Sequence, residues 1–368
     1  MRDLLQDIQR FKASGQAFGR AVVTTVWGSA PRPAGACLLA DRHGTIAGSV
    51  SGGCIEAATA AEIAAAIDAG RPRLVEFGVT NERAWEVGLA CGGTIELLVE
   101  PVVREEVVAA AAAASGAVLA TVLESPSGFG AALLIDEDGD DMRPLPAVGD
   151  IAEKADGSRE LPALRQALIG PALEALAQHA SRTQRFTTEA GHAVTVFFEV
   201  FPRAAKLVIF GGVHIARALV PMARLLGYRT IVADGRQPFL TRERFPDADE
   251  LILGWPAEAF EQAGLDAATS VCVLTHDPKF DDPALEIALR SPAAYVGAIG
   301  SRKTQSARRQ RLKSAGLSDE QVDRLRGPIG LDLGGREPAE IAVAILAEMT
   351  AMRHGSKTAP SGPGAGRT

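Results

Sequence analysis

The stretch that begins at Lys206 constrains the fold of this 368-residue chain more than any other. Lys-Leu-Val-Ile-Phe-Gly is a continuous apolar run, the pattern of a strand covered on both faces in a parallel sheet. A helix over about 214–226 follows it. The apolar strands RTIVA, ELILG, SVCVLT and AYVGAIG come next. Between and after them lie a short helix and longer ones at 283–290, 301–314 and 337–353. Strands alternating with helices predict a Rossmann-like, doubly wound parallel sheet.

The residues before Lys206 follow a different grammar, and the fold class expected of the chain is α/β. An N-terminal α+β domain over 1–203, with its core motifs at 20–101, precedes the Rossmann-like domain at 204–355. Pro202-Arg203 is the expected linker, and the Gly-, Ser- and Pro-rich tail 356–368 is expected to be disordered. In the first domain an amphipathic helix at 4–13 leads into the strand GRAVVTTVWG. A hairpin over 36–50 follows, then a helix that stops at Gly70. The strands AVLATVLE and GAALLID come later, with DEDGDDMRPLP after them as a polar loop.

The formal net charge of −7 argues against nucleic acid or an anionic membrane as the main partner. The four cysteines, Cys37, Cys54, Cys91 and Cys272, form no CxxC pair, which points to a reducing compartment. The N-terminal residues lack the uninterrupted apolar core of a signal peptide, and no apolar run is as long as a membrane span. A cytoplasmic location is expected.

Gly211-Gly212-Val213-His214-Ile215-Ala216 follows a strand and opens a helix, the setting of a dinucleotide-binding turn. Asp234 lies about twenty residues on, where an acid would hold a ribose hydroxyl. Val213 occupies the position of the glycine that lets a pyrophosphate approach the backbone, so its side chain is expected to obstruct one. The alternative is a Rossmann-like scaffold without a nucleotide. Two more loops line the crevice expected at the strand ends. Thr275-His276-Asp277-Pro278 offers His276 and Asp277 as an acid/base pair or as loop caps. Gly300-Ser301-Arg302-Lys303-Thr304 offers Ser301, Arg302 and backbone amides to a phosphate. Lys303, Arg308, Arg309 and Arg311 read as a solvated basic helix face.

Two Gly-Gly-Cys-type turns mark the first domain. In Ser51-Gly52-Gly53-Cys54-Ile55-Glu56 the cysteine falls at a helix start, where the dipole favours thiolate, and the glycines let amides form an anion nest. The plainer alternative is a small buried cysteine. Cys91, with Gly92 and Gly93, is a similar loop cysteine. Cys37 and Cys272 fall within strands and read as core. Trp27-Gly28-Ser29-Ala30-Pro31-Arg32-Pro33-Ala34-Gly35 is a stiff loop whose Trp27 and Arg32 would stack on or pair with a flat anionic ligand, or simply pack. HExxH, GxSxG and P-loop patterns are absent.

Together WGSAPRPAGA, GSVSGGCIE, GLACGGTIELLVEP, LVIFGGVHIARAL, VLTHDPKFDDPAL, GAIGSRKT and GPIGLDLGGREPAEIAVAILAE resemble the XdhC/CoxI family. These are accessory proteins of xanthine dehydrogenase and related molybdenum hydroxylases. The resemblance covers most of the chain. It implies a maturation chaperone that binds molybdenum cofactor (molybdopterin) as cargo and supports its sulfuration with a cysteine desulfurase. The chaperone then delivers the cargo to an apo molybdenum hydroxylase of the xanthine dehydrogenase type. It also implies a homodimer. Cys54 would contact the molybdenum, for which thiolate is a suitably soft ligand. Cys91 would assist, Gly52, Gly53, Gly92, Gly93, Trp27 and Arg32 would border the cofactor, and the Rossmann crevice would hold the rest through Gly211, Gly212, His214, Asp234, His276, Asp277, Ser301 and Arg302. The chain departs from the family pattern at Val213, where a third glycine is usual, and at Gly235, where acids are usual. An NAD(P)-dependent oxidoreductase is the alternative.

Overall fold

Met1–Arg203 and Ala204–Thr368 form two compact units. The computed structural model describes residues 1–29, 31–78, 93–125, 129–145 and 160–355, except the side chains of 160–163. Cys91, Gly92 and the tail 356–368 therefore lie outside the described residues.

In the first unit α1 (Leu5–Ser14) buries Ile8 and Phe11, the apolar stripe of its 3.6-residue period. β1 (Phe18–Trp27), β2 (Cys37–Asp41) and β3 (Ile46–Gly48) form an antiparallel meander. α2 (Glu56–Ala69) ends at Gly70, as its sequence predicts. β4 (Arg73–Phe77) and β5 (Thr94–Glu100) complete a sheet of order β3-β2-β1-β5-β4. Ala60, Ile63 and Ala66 of α2 pack against Ala21, Val23, Leu38 and Leu97 of that sheet. α3 (Glu105–Ala112) leads to β6 (Ala117–Glu124), β7 (Ala132–Asp136) and β8 (Met142–Leu145). Residues 142–145 were expected in a polar loop. They pair with β7 instead, because Met142 and Leu145 bury while Arg143 and Pro144 face outward. α4 (Glu160–Ala177), β9 (Arg182–Thr187) and β10 (Ala193–Phe201) finish a second antiparallel sheet of order β8-β7-β6-β10-β9.

A buried ion cluster joins these two sheets. Arg20 of β1 donates to Glu100 at 2.6 Å and to Glu199 of β10 at 2.9 Å, and Arg104 lies 3.1 Å from Glu100. All four side chains are buried. The charges compensate one another, as burial requires.

In the second unit β11 (Lys206–Phe210), α5 (His214–Leu225), β12 (Arg229–Asp234), β13 (Glu250–Leu253), α6 (Pro256–Ala263) and β14 (Thr269–Val273) follow one another. α7 (Pro278–Arg290), β15 (Tyr295–Ala298), α8 (Arg302–Ser314), α9 (Asp319–Asp323), β16 (Leu325–Arg326) and α10 (Pro338–Arg353) complete it. The strands pair in parallel in the order β13-β12-β11-β14-β15-β16, the doubly wound arrangement that the alternating pattern predicts. Alternate residues of β11 enter opposite cores, Val208 and Phe210 one, Leu207 and Ile209 the other. Both faces are covered, so the strand carries no polar face. The order in which successive strands are added reverses between β11 and β14, and this is the crevice where open sheets of this order take ligands.

Two expectations change here. α7 starts at Pro278, five residues before the helix read from sequence, with Asp277 as its N-cap and Pro278 in the first turn. Arg308 is no solvated residue of a basic face: it is buried, 2.6 Å from Asp281. Arg309 donates to the carbonyls of Val322 and Leu325, and Arg311 pairs with Asp282. Arg302, by contrast, stands 89% exposed.

Candidate functional site

Gly52 and Gly53 have φ of +87° and +123°, values that side-chain-bearing residues rarely adopt, and they wrap the loop before α2 into a cup. The occupant of the cup is Glu56, the first residue of α2. One carboxylate oxygen accepts from the Ser49 hydroxyl at 2.6 Å and from the amides of Val50, Ser51 and Gly52 at 3.2, 3.0 and 3.0 Å. The other accepts from the Ser51 hydroxyl at 2.6 Å and from the amides of Gly53 and Ile55 at 2.9 and 3.2 Å. Burial pushes this carboxyl up, but the Ser49 and Ser51 hydroxyls and the Ser51 amide outweigh it and hold the group at about 2. The amides read from sequence as an anion nest are thus taken by the chain's own anion. Cys54 lies on this loop one residue ahead of the N-cap Ile55, and it is exposed. Its amide donates to the Ser51 hydroxyl at 3.0 Å.

The other first-unit candidates gather beside this loop. Trp27 ends β1 and is 48% exposed. Gly93 packs so closely on the carbonyl of Ser29 that a side chain there would collide with it. A Cβ on Gly52 would lie 3.8 Å from Pro31. Residues 27–29 and 31–32, the Cys54 loop and the start of β5 therefore share one end of the first sheet. Arg32 is exposed there, with no ion pair or hydrogen bond to any described residue. Cys37 and Cys272 are buried, as expected of core cysteines, and burial raises both thiols, Cys37 to about 12.

In the second unit Gly211 turns at φ +116°, where a Cβ would sit 2.8 Å from the Thr275 methyl. Gly212 donates its amide to Asp234 at 2.8 Å. Arg236 holds the same carboxylate through its amide, Nε and Nη2, each at 2.9 Å. Asp234 is 1% exposed; burial pushes its carboxyl up, yet the hydrogen bonds from Arg236 and Gly212 bring it below the usual range. The carbonyl of Phe239 lies against Gly212, and Arg236 sits 4.0 Å over the Phe239 ring. Val213 is partly buried and packs against the apolar core that includes Leu207 and Ile209. His214 is exposed on the first turn of α5, and His276 is exposed after β14. The Asp277 side chain accepts from the Lys279 amide, and that of Ser301 from the Thr304 amide. Arg302 lies 3.7 Å from Asp332. The fold thus brings Gly211, Gly212, Asp234 and the residue before His276 together, while Ser301 and Arg302 sit at the next strand end. Sequence reasoning missed Glu56 and Arg236, the two residues that close the two turns. Among the described residues no cluster of His, Cys, Asp or Glu forms a metal centre.

The model of the XdhC and CoxI family matches residues 11–78, which hold Trp27, Arg32 and the Cys54 cup, and that of the XdhC Rossmann domain matches 207–349. The chain belongs to the XdhC and CoxI family. Within the family it is 27% identical over 342 residues to the molybdenum cofactor insertion chaperone PaoD of Escherichia coli (strain K12), covering 92% of this chain and 85% of PaoD. It is 26% identical over 341 residues to a probable xanthine dehydrogenase subunit of Bacillus subtilis (strain 168), covering 90% of this chain and 92% of that subunit. A third relative, the uncharacterized protein YqeB of Escherichia coli (strain K12), is 32% identical over 177 residues, which span 48% of this chain and 32% of YqeB. The fold is that of a crystal structure described as a xanthine dehydrogenase from Bacillus halodurans. The TM-score is 0.73 at 24% identity, and the likeness covers 97% of each chain. Ser181, Arg182 and Thr183 of the first unit fall outside both matched segments of this XdhC/CoxI chain. No helix among the described residues is long and apolar enough to cross a membrane.

Proposed function

We propose that this chain is a molybdenum cofactor chaperone: it binds the cofactor as cargo, supports its sulfuration by a cysteine desulfurase and delivers it to an apo molybdenum hydroxylase of the xanthine dehydrogenase type. The observation that carries the reading is the Cys54 loop. It presents an exposed cysteine while the amides of Gly52, Gly53 and Ile55 are directed to Glu56 and that of Cys54 to the Ser51 hydroxyl. Such a loop suits a thiophilic metal better than a phosphate, since it offers a thiolate ligand and the cup already holds a negative charge. Trp27 and Arg32 border the sulfur's end of the sheet, and Cys91 is proposed to assist it. Alignment with the chaperone PaoD over 92% of the chain supports a maturation role. A homodimer and a cytoplasmic site of action complete the proposal.

The test loads the purified full-length chain with molybdenum cofactor and measures what it retains by pterin fluorescence. Near-stoichiometric retention by wild type and about tenfold weaker retention by Cys54→Ala are expected, a loss of about 1.4 kcal/mol. Absence of retention by wild type sinks the chaperone reading. Unchanged retention and transfer in Cys54→Ala sinks the role of the cysteine and leaves the chaperone reading standing.

A further inference from the structure

Beside the Cys54 loop, the first unit contains an open cleft of about 610 Å3. Its walls come from the end of β1 (Thr24–Val26), from residues 28–29 and 31–34, and from Ser181 with Arg182 and Thr183 at the start of β9. β9 belongs to the second sheet, so the cleft is a composite of both sheets. The Thr183 hydroxyl donates to the carbonyl of Thr24 at 2.8 Å and ties the two walls together. Gly35 closes the third side: a Cβ there would stand 2.5 Å from the Ser181 hydroxyl oxygen.

The donors in this cleft can be counted down to those still free. Thr24 and Thr25 direct their hydroxyls to Glu96 at 2.6 and 3.4 Å, and Thr183 is spent on the Thr24 carbonyl. Arg182 is held by Glu174 at 2.7 Å and by the Pro171 carbonyl at 3.0 Å, yet its Nε–H is buried without an acceptor. The Ser181 oxygen accepts from the Val200 amide at 3.0 Å, which leaves its proton to donate. Ser29 is exposed and has no partner among the described residues, and Arg32 presents a whole unpaired guanidinium. The acids nearby, Glu96 and Glu174, are both engaged with the walls. What remains is one free planar cation, two hydroxyls and a buried N–H that lacks an acceptor. A guanidinium fork with hydroxyl donors is the chemistry that recognises a phosphate.

We infer that this cleft is an oxyanion subsite that takes the phosphate-bearing end of the cargo whose metal end meets Cys54, an inference that rests on the chaperone reading. Two of the Gly-rich turns that would ordinarily hold a phosphate are closed. Glu56 fills one, and Asp234 takes the amide of the other. The cleft adjoins the Cys54 loop through the contact of Gly52 with Pro31. Its volume falls in the range of about 300–1,000 Å3 usual for small-ligand sites.

Inorganic pyrophosphate is the probe, titrated into the full chain and followed by calorimetry and 31P line width. Wild type and Cys54→Ala should bind it equally. Arg32→Ala should weaken it about tenfold, and Arg32→Lys should recover only part of the loss, because the fork is gone. Pyrophosphate should also displace loaded cofactor. Absence of pyrophosphate binding at millimolar concentration, or equal binding by Arg32→Ala, overturns the subsite. So does binding that leaves the cofactor in place, which would make the cleft a site for free phosphate. If the chain retains no cofactor but binds pyrophosphate through Arg32, the chaperone reading fails and the oxyanion site survives without its assigned ligand. If cofactor is retained equally by wild type and Arg32→Ala, the subsite fails alone.

Discussion

Seven donors converge on the Glu56 carboxylate, and their combined effect sets how the first unit responds to acid. The folded carboxyl titrates near 2, against an ordinary value of 4.5. A depressed acid favours the folded state. Its contribution is complete above pH 4.5 and is lost as pH falls toward 2. Glu56→Gln places an amide group against N–H donors and removes the charge. After allowance for solvent screening, the loss at neutral pH is about 2 kcal/mol. Hydrogen-exchange mass spectrometry on peptides spanning residues 49–69 should show faster exchange in Glu56→Gln at pH 7. The gap to wild type should narrow as pH falls from 4.5 toward 2, once the exchange rates are corrected for their intrinsic pH dependence. Parallel profiles for the two proteins would contradict this account of the cup.

Elements differ in how far the sequence announces them. The second unit is legible because its strands are buried on both faces. Continuous apolar runs such as Leu207–Phe210 and Val271–Val273 leave little choice but a covered parallel sheet. The helix stop at Gly70 is legible for a local reason, the left-handed turn that follows α2. The part that stays hidden depends on partners distant in sequence. Arg308 reads as one of several surface cations until Asp281, on another helix, is known to face it at 2.6 Å. Met142 and Leu145 read as loop residues because only pairing with β7 makes them an inward face. At the candidate site, the Gly-Gly turns and Cys54 are visible from spacing. Glu56 is not, because an acid in the first turn of a helix is ordinary there. The Arg20 cluster is another long-range case and predicts a large effect. Arg20→Ala would strand Glu199 in the interior between the two sheets and leave Glu100 with Arg104 alone, at a cost of about 3–5 kcal/mol. Urea denaturation followed by Trp27 fluorescence, in a chain lacking its other tryptophans, should show the first unit unfolding at markedly lower denaturant. A midpoint within error of wild type would mean that the cluster contributes nothing net.

At the scale of the molecule, three Gly-rich turns among the described residues that could receive an anion are closed by the chain's own carboxylates. Glu56 fills the turn before α2, Asp234 takes the Gly212 amide, and Glu340 takes the amides of Arg336 and Glu337 at 2.9 and 3.0 Å. This recurrence bears on the oxidoreductase alternative. A dinucleotide needs the turn amide for its diphosphate and the acid after the second strand for its ribose. Here those two groups satisfy each other, Arg236 clamps the acid, and the Phe239 carbonyl covers Gly212. A dinucleotide would have to break several charge-assisted hydrogen bonds, each worth roughly 1.5–3 kcal/mol, before any new one formed. The obstruction thus lies in the Asp234–Arg236 pair and the segment that follows rather than in the side chain of Val213, which packs against the core. Two results are expected from titrating NADH fluorescence to millimolar concentration. Wild type shows no saturable change, and Val213→Gly, which restores the glycine the dinucleotide pattern calls for, behaves the same way. Saturable binding by Val213→Gly alone would return the block to the valine. Micromolar binding by wild type would reopen the oxidoreductase reading, because the Asp234 clamp would then have to yield to the cofactor at little cost.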